Sequence, residues 1–378
     1  MSSDIEHPEY EFSTIILQAS PRCNLRCKYC YLSDLNNKKH MSLDDVKIIF
    51  TNIKKNIKNK NNLEIIWHSG EPTLLGGKYF RSAVEILEGI YKDNEVNFGM
   101  QTNGTVINRD LIDLFLQKKF HVGISIDGPE KINDLSRVYE NGSGSFKNSM
   151  KGLEKLLAHG ITPSVICVLN KTYLSRPDVY YEFFKELGVR MVSINFPEAE
   201  GANSHTLGGN RNSYDDYKNF IEFFLCRREC ENSVKILQVE NIIKKMEDIY
   251  KYSTSLEENI PLRILSVDWK GMISTFSPEL QGVTCLKYND FHVANAFSWS
   301  GLDIGLINGI HNEIKDGINK CKSECKYFSL CGGGRPSGKF FHHGKFSVST
   351  HESCLINTMW LIEIISEYLV KNKNIKLN

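Results

Sequence analysis

Short apolar runs rich in Val and Ile alternate with amphipathic runs along the first two-thirds of the chain, and this alternation constrains the fold most. The runs at 14–17, 63–67, 96–100, 120–126, 164–169 and 189–194 read as strands. Helix-period segments fall between them at 42–60, 79–91, 110–119, 146–159 and 179–187, the first opening on Ser42 with an acidic first turn. Six such repeats predict a parallel sheet, which right-handed crossovers curl into a barrel or part of one. In that architecture the chemistry gathers in the loops after the strands' C-terminal ends. The polar motifs of this chain lie in those loops.

The loop after the first strand carries Cys23-Asn24-Leu25-Arg26-Cys27-Lys28-Tyr29-Cys30, three thiols at gaps of three and two. Three thiolates are one short of a closed tetrahedral zinc site. They suit an iron–sulfur cluster that keeps one iron open for a non-protein ligand. A zinc loop with a distant fourth ligand is the competing reading. A second set, Cys321, Cys325, Cys331 and Cys354, has two short gaps and one long one, as a closed zinc site or a fully ligated iron–sulfur cluster requires. Cys226 and Cys230 lie four apart on a segment, 214–229, that reads as a helix, and are read as packing thiols. Cys285 has no assigned role.

Composition narrows the field. Lys plus Arg is 46 and Asp plus Glu is 45, so no global charge draws the chain to nucleic acid or an anionic membrane. No apolar run approaches the length of a membrane span, and residues 1–10 are polar and acidic, unlike a secretory signal. Eleven cysteines without such a signal argue for reduced thiols or metal ligands and a cytoplasmic location. Gly, Asn and Ser crowd residues 201–213, a functional loop or domain junction. Helices are expected at 214–229 and 238–250, and a strand-rich segment with a Lys270-Gly271 turn at 262–276. The expected division is 12–200, 201–260 and 261–378, the last ending in a helix.

Taken with Trp67-His68-Ser69-Gly70-Glu71-Pro72, Gln101-Thr102-Asn103-Gly104-Thr105 and Ser125-Ile126-Asp127-Gly128-Pro129, the cysteine loop with Tyr29 before its last Cys resembles the radical S-adenosylmethionine (SAM) enzymes. The match is to their cysteine signature and to their "GGEP", "TNGT" and "SxDGP" stretches, in order, with Ser69 where the first Gly is usual. The resemblance implies a partial (β/α)6 TIM-like radical SAM barrel, followed by a smaller C-terminal SPASM-like domain. It implies that Cys23, Cys27 and Cys30 hold a [4Fe-4S] cluster that binds SAM. Tyr29, Gly70, Glu71, Asn103, Ser125 and Arg137 become cofactor-binding candidates: Gly70 and Glu71 at the methionine amine, Ser125 and Arg137 at the carboxylate or ribose, Asn103 on the ribose side. His68 and His121 are packing or hydrogen-bonding residues.

The second cysteine set resembles the SPASM domains of radical SAM peptide maturases. A full domain of that kind carries seven cysteines and two auxiliary clusters. Here Arg335 stands where a further Cys is expected, and the earlier cysteines are missing. One auxiliary [4Fe-4S] cluster, on Cys321, Cys325, Cys331 and Cys354, is the expectation. The strings "STFSPEL" and "CKYFSLCGGGRPSGKFF" resemble the cyclophane-forming subgroup. By that likeness the substrate is a ribosomally made precursor peptide, and a 5′-deoxyadenosyl radical takes a hydrogen from an unactivated Cβ. The carbon radical then attacks an aromatic ring two positions away, and an electron and a proton are lost. Asp268, Glu279 and Glu198 are the candidate bases. An electron donor such as flavodoxin or ferredoxin is implied. About eleven residues precede the first strand, too few for a fused leader-binding domain. The alternatives are a thioether-forming or epimerising peptide maturase, an anaerobic sulfatase-maturing enzyme, and a non-enzymatic protein with two zinc sites.

Overall fold

The computed structural model describes residues 11–203, 211–247 and 255–373. In chain order the first repeats are β1 (Glu11–Gln18), α1 (Leu43–Asn56), β2 (Lys58–Trp67), α2 (Gly76–Ile90), β3 (Glu95–Thr102), α3 (Arg109–Lys118) and β4 (His121–Ser125). Next come α4 (Glu130–Ser136), α5 (Phe146–Ala158), β5 (Ser164–Val168), α6 (Pro177–Glu186) and β6 (Met191–Asn195). The six strands pair in parallel, each with the next. The α/β architecture is therefore the expected one. Ser42 opens α1 through a reciprocal capping box with Asp45, which satisfies two otherwise unpaired donors.

Three departures from the sequence expectation have physical causes. β2 starts five residues early, at Lys58, because its polar residues 58–62 extend the pairing with β1 while their side chains stay largely outside the core. α4 was not expected: its seven residues carry little apolar periodicity, and only Ile132 and Asn133 are buried. Cys226 and Cys230 are both exposed rather than packed, since α7 (Arg211–Arg227) ends before Cys230 and turns Cys226 outward. A two-residue strand, β7 (Lys235–Ile236), follows α7 and pairs with β6; α8 (Leu237–Glu247) comes next, and the expected end of that helix lies outside the described residues.

The later chain returns to the same sheet. β8 (Ile264–Asp268) runs parallel to β1, and β9 (Met272–Thr275) and β10 (Ala294–Asn295) continue antiparallel beyond it. The full order is β10-β9-β8-β1-β2-β3-β4-β5-β6-β7. The rest is helical: α9 (Ile304–Glu324), α10 (Phe328–Cys331), α11 (Pro336–His343), α12 (Glu352–Cys354), a π-turn (Leu355–Trp360) and α13 (Leu361–Lys373).

Two cores hold the sheet. The first is centred on Trp67, fully buried and stacked on Phe98 and Phe120 with ring centroids 5.7 Å apart. Burying a large apolar side chain contributes about 1.5–3 kcal/mol, so this stack anchors the first half of the barrel. The second core joins β4–β6 to α6, α7 and the last helix. Residues Glu352–Asn372 have the length and apolarity of a membrane-crossing helix, contrary to the expectation of none. Ile356, Trp360, Ile364 and Ile365 of that stretch nonetheless pack into the second core. It behaves as a core helix.

Candidate active site

The cysteine loop is laid over the sheet's C-terminal edge by its own backbone. Cys23 N–H donates to Leu35 O at 3.0 Å, and Lys28 N–H to Ser136 O at 3.0 Å. Arg26 N–H reaches Val138 O at 2.6 Å, and Leu25 bridges Tyr139, so the loop is zipped to the segment that follows α4. That segment carries Arg137, a buried cation. Its Nη1 donates to the Tyr29 hydroxyl at 2.8 Å, and Tyr29 donates in turn to Asp127 Oδ2 at 2.6 Å. Asp127 also accepts the Val168 N–H, tying three strand-end loops together. Arg137 Nε is buried with no acceptor.

The three thiols face one another closely enough to interact electrostatically. Burial pushes Cys23 up to about 12 and Cys27 up to about 11, with Arg137 drawing Cys27 back down. Cys30 is raised by burial as well. Among the described residues no group of three or more Cys, His, Asp and Glu closes to the spacing of one metal ion. Thiols spread like these suit a polynuclear group, in which each sulfur holds a different iron. The buried guanidinium with an unfilled Nε fits an anionic cluster, or an anionic group bound to it.

Gly70 is where the backbone comes nearest the loop. Its φ is +62°, and a Cβ would lie 2.6 Å from the carbonyl oxygens of both Ser20 and Arg22. Only glycine fits that conformation and that gap. Glu71, expected at the SAM ammonium, is 2% exposed and already engaged. Its Oε1 accepts from Thr73 N at 3.0 Å and from the hydroxyls of Thr73 and Thr102 at 2.6 Å, while Oε2 accepts Asn103 N at 2.7 Å. Burial raises this carboxyl and those donors lower it. The carboxylate fastens the β2 loop to the end of β3, a role that Thr73 and Thr102 complete and that motif reading missed.

Asn103 lies against the cysteine loop, its Nδ2 2.9 Å from Asn24 Oδ1 and 4.0 Å from Cys23 Sγ. Ser125 Oγ accepts from Gln101 Nε2 at 2.9 Å, and the Gln101 amide crosses the bare face of Gly123. His68 meets Ser69 Oγ at 3.0 Å, and burial lowers its pKa, whereas His121 is exposed at the strand's far end. The three base candidates separate. Asp268 Oδ1 accepts the N–H groups of Lys270 and Met272 at 2.9 Å, so that oxygen builds the β8–β9 turn. Glu198 and Glu279 meet at Arg335.

The second cysteine set gathers in the C-terminal part of the chain. Cys321 lies in the last turn of α9, Cys325 caps it, Cys331 ends α10 and Cys354 ends α12. Burial and the other three thiols push Cys354 up to about 12. Lys339 is 2% exposed with its Nζ 3.5 Å from Cys321 Sγ, a buried cation whose nearest partner is a thiol. Gly332, Gly333 and Gly334 all adopt positive φ and turn the chain from Cys331 to Arg335. Burial and neighbouring thiols raise Cys321, Cys331 and Cys354, and the buried lysine beside Cys321 suits an anionic cluster.

The parallel sheet thus sets three thiols, a buried arginine and a glycine-lined loop together at its C-terminal edge. The comparisons give the family: residues 17–174 match the Radical SAM superfamily, and the chain belongs to it. It is a radical SAM enzyme, a class that works with a [4Fe-4S] cluster and SAM. Its sequence is 33% identical over 362 residues to an uncharacterized protein of Synechocystis sp., sll1766, covering 93% of this chain and 90% of the relative. It is 32% identical over 220 residues to the cysteine-type anaerobic sulfatase-maturating enzyme of Clostridium novyi, covering 55% of this chain and 58% of that one. In fold it is similar to native anSMEcpe with bound AdoMet and Cp18Cys peptide, with a TM-score of 0.74 at 20% identity over 96% of this chain and 99% of that one.

Proposed function

We propose that this enzyme modifies a ribosomally made precursor peptide, joining an aromatic ring carbon to the Cβ of a nearby residue. Cys23, Cys27 and Cys30 hold the SAM-binding cluster in this reading, and Cys321, Cys325, Cys331 and Cys354 hold a single auxiliary one. The bound cluster and SAM supply a carbon-centred radical strong enough to take a hydrogen atom from an unactivated C–H. The protein's own part is positioning. Arg137, Tyr29 and Asp127 fix the cysteine loop, and Gly70 lets the backbone approach the cofactor.

The observation that carries the reading is Arg335. It stands where the seven-cysteine pattern has another ligand, and its guanidinium is committed to the carboxylates of Glu198, Glu258 and Glu279. That supports one auxiliary cluster and sets the chain apart from the seven-cysteine set. Protein-sulfatase maturation is the second reading, supported by the sulfatase-maturating relatives. Co-expression with a peptide encoded beside the gene, followed by tandem mass spectrometry, separates them. Loss of two hydrogens with fragmentation blocked between an aromatic residue and a neighbour supports the crosslink. An unchanged peptide, with a sulfatase-derived peptide converted to the aldehyde instead, overturns it.

A further inference from the structure

Away from the three-thiol loop, one cation, Arg335, is outnumbered by the carboxylates around it. Four carboxylates from three stretches act on this one guanidinium. Glu198 and Glu200 come from the segment after β6, Glu258 precedes β8, and Glu279 follows β9. Glu258 Oε2 lies 3.4 Å from Nε and Glu198 Oε1 4.0 Å from Nη1, and Glu279 Oε1 bonds Nη2. The other donors are neutral: Asn357 Nδ2 to Glu198 at 2.8 Å, and Ser277 Oγ to Glu258 at 2.8 Å.

Two acceptors are left over. Glu200 is 9% exposed, and its Oε1 is buried without a donor; Glu279 Oε2 is in the same condition. Unpaired buried carboxylate oxygens are costly and therefore uncommon. A proton is the default remedy: burial first, then the neighbouring carboxylates, push Glu200 up to about 8 against the pull of Arg335. A cation from outside is the other remedy. The guanidinium already fills the centre of the cluster, which leaves no room for a metal ion among all four carboxylates. It leaves the flank at Glu200 and Glu279.

That flank adjoins the cofactor loops. Ala202 N–H donates to Tyr31 O at 2.9 Å, and the Tyr31 hydroxyl lies 3.2 Å from Ser69 Oγ. Tyr31 follows Cys30 directly, and Glu279 acts electrostatically on both Tyr31 and His68. On the other side, Glu198 and Arg335 line a cavity of about 340 Å³ that reaches Cys331 and Cys354. The Arg335 side chain keeps 38% of its surface accessible and that of Glu279 20%.

We infer that Glu279, held by Arg335, and Glu200 beside it bind the guanidinium or ammonium of an Arg or Lys side chain in the peptide substrate. The pocket would set the register of the peptide between the cofactor loops and the second thiol set. This inference rests on the peptide reading above.

The test uses the reconstituted enzyme and two short peptides, each with one aromatic residue, identical except that arginine in one is replaced by its neutral isostere citrulline in the other. Titration calorimetry should find the arginine peptide bound at least about tenfold tighter, because a buried charge pair loses that much or more when one partner is neutralised. Glu200→Gln and Glu279→Gln, measured singly and with iron content checked, should each erase most of that preference. Equal binding of the two peptides overturns the pocket while leaving the peptide reading intact. A preference that survives both variants, or displacement of the arginine peptide by saturating SAM, overturns it as well. If neither peptide binds although SAM is still cleaved, the peptide reading fails and this inference falls with it.

Discussion

The two thiol sets bring cysteines together inside the protein by different means. The first is a loop: its shape comes from backbone bonds to the segment 136–139, and its cation, Arg137, is tied through Tyr29 to a carboxylate. The second is made of helix ends: each ligand sits at or beside a terminus of α9, α10 or α12, and the cation beside Cys321 is a lysine at the end of a flexible chain. A loop with three ligands can leave a corner open and adjust around a bound cofactor. Three helix ends supply the four thiols of the second set. On the proposed reading, turnover belongs at the three-thiol loop, where a cluster would keep one iron without a protein ligand.

The sharpest way to break this comparison is to remove each set in turn. Replacing Cys23, Cys27 and Cys30 together by Ala should abolish 5′-deoxyadenosine formation and lower bound iron by about four atoms per chain. Replacing Cys321, Cys325, Cys331 and Cys354 should remove a similar amount of iron while reductive SAM cleavage persists. Loss of cleavage in both would mean the two sites are not distinct in role.

Arg137→Leu should come next in size. It strands the buried Asp127 and Tyr29 pair without its cation, a loss of about 3 kcal/mol that denaturant titration of the iron-free protein can read. Gly70→Ala should cost about 1–3 kcal/mol for the positive φ alone. Its Cβ would also push on two carbonyl oxygens, so SAM affinity, read by calorimetry, should fall further than stability does. The smallest effect is expected at the closed site. Lys339→Met keeps the buried shape but deletes a positive charge beside Cys321, which should make the second cluster harder to reduce. A redox titration followed by electron paramagnetic resonance would show the more negative potential, and no shift would mean that Lys339 is only packing.

Much of this was legible in the sequence because it is written in short range. The strand-and-helix alternation fixed the parallel sheet, and the cysteine spacings picked out both thiol sets, since neighbouring ligands on one loop or helix end need no tertiary knowledge. What escaped was set at long range. Glu71 reads as a free carboxylate next to Gly70, but its four donors come partly from Thr102 and Asn103 on another strand. Glu200 is an ordinary loop residue until Arg335 arrives from far along the chain. Arg335 itself was noticed as a missing cysteine, and its carboxylate partners could not have been guessed from spacing. Cys226 and Cys230 misled for the converse reason: a helical period says which residues share a face, not which face is covered.

The place of β8 has a consequence for how the chain comes into being. β1 is hydrogen-bonded along both edges, to β2 and to β8, and the second partner pairs Thr14 with Ile264. During synthesis the first strand of the sheet therefore waits for a late segment with one side bare. Contacts so far apart close slowly, and a bare strand edge is a template for association with other chains. The interval before residues 264–268 dock is when nascent chains are most exposed to one another. Slower growth and a lower concentration of incomplete chains should accordingly raise the yield of usable protein, whatever the supply of iron.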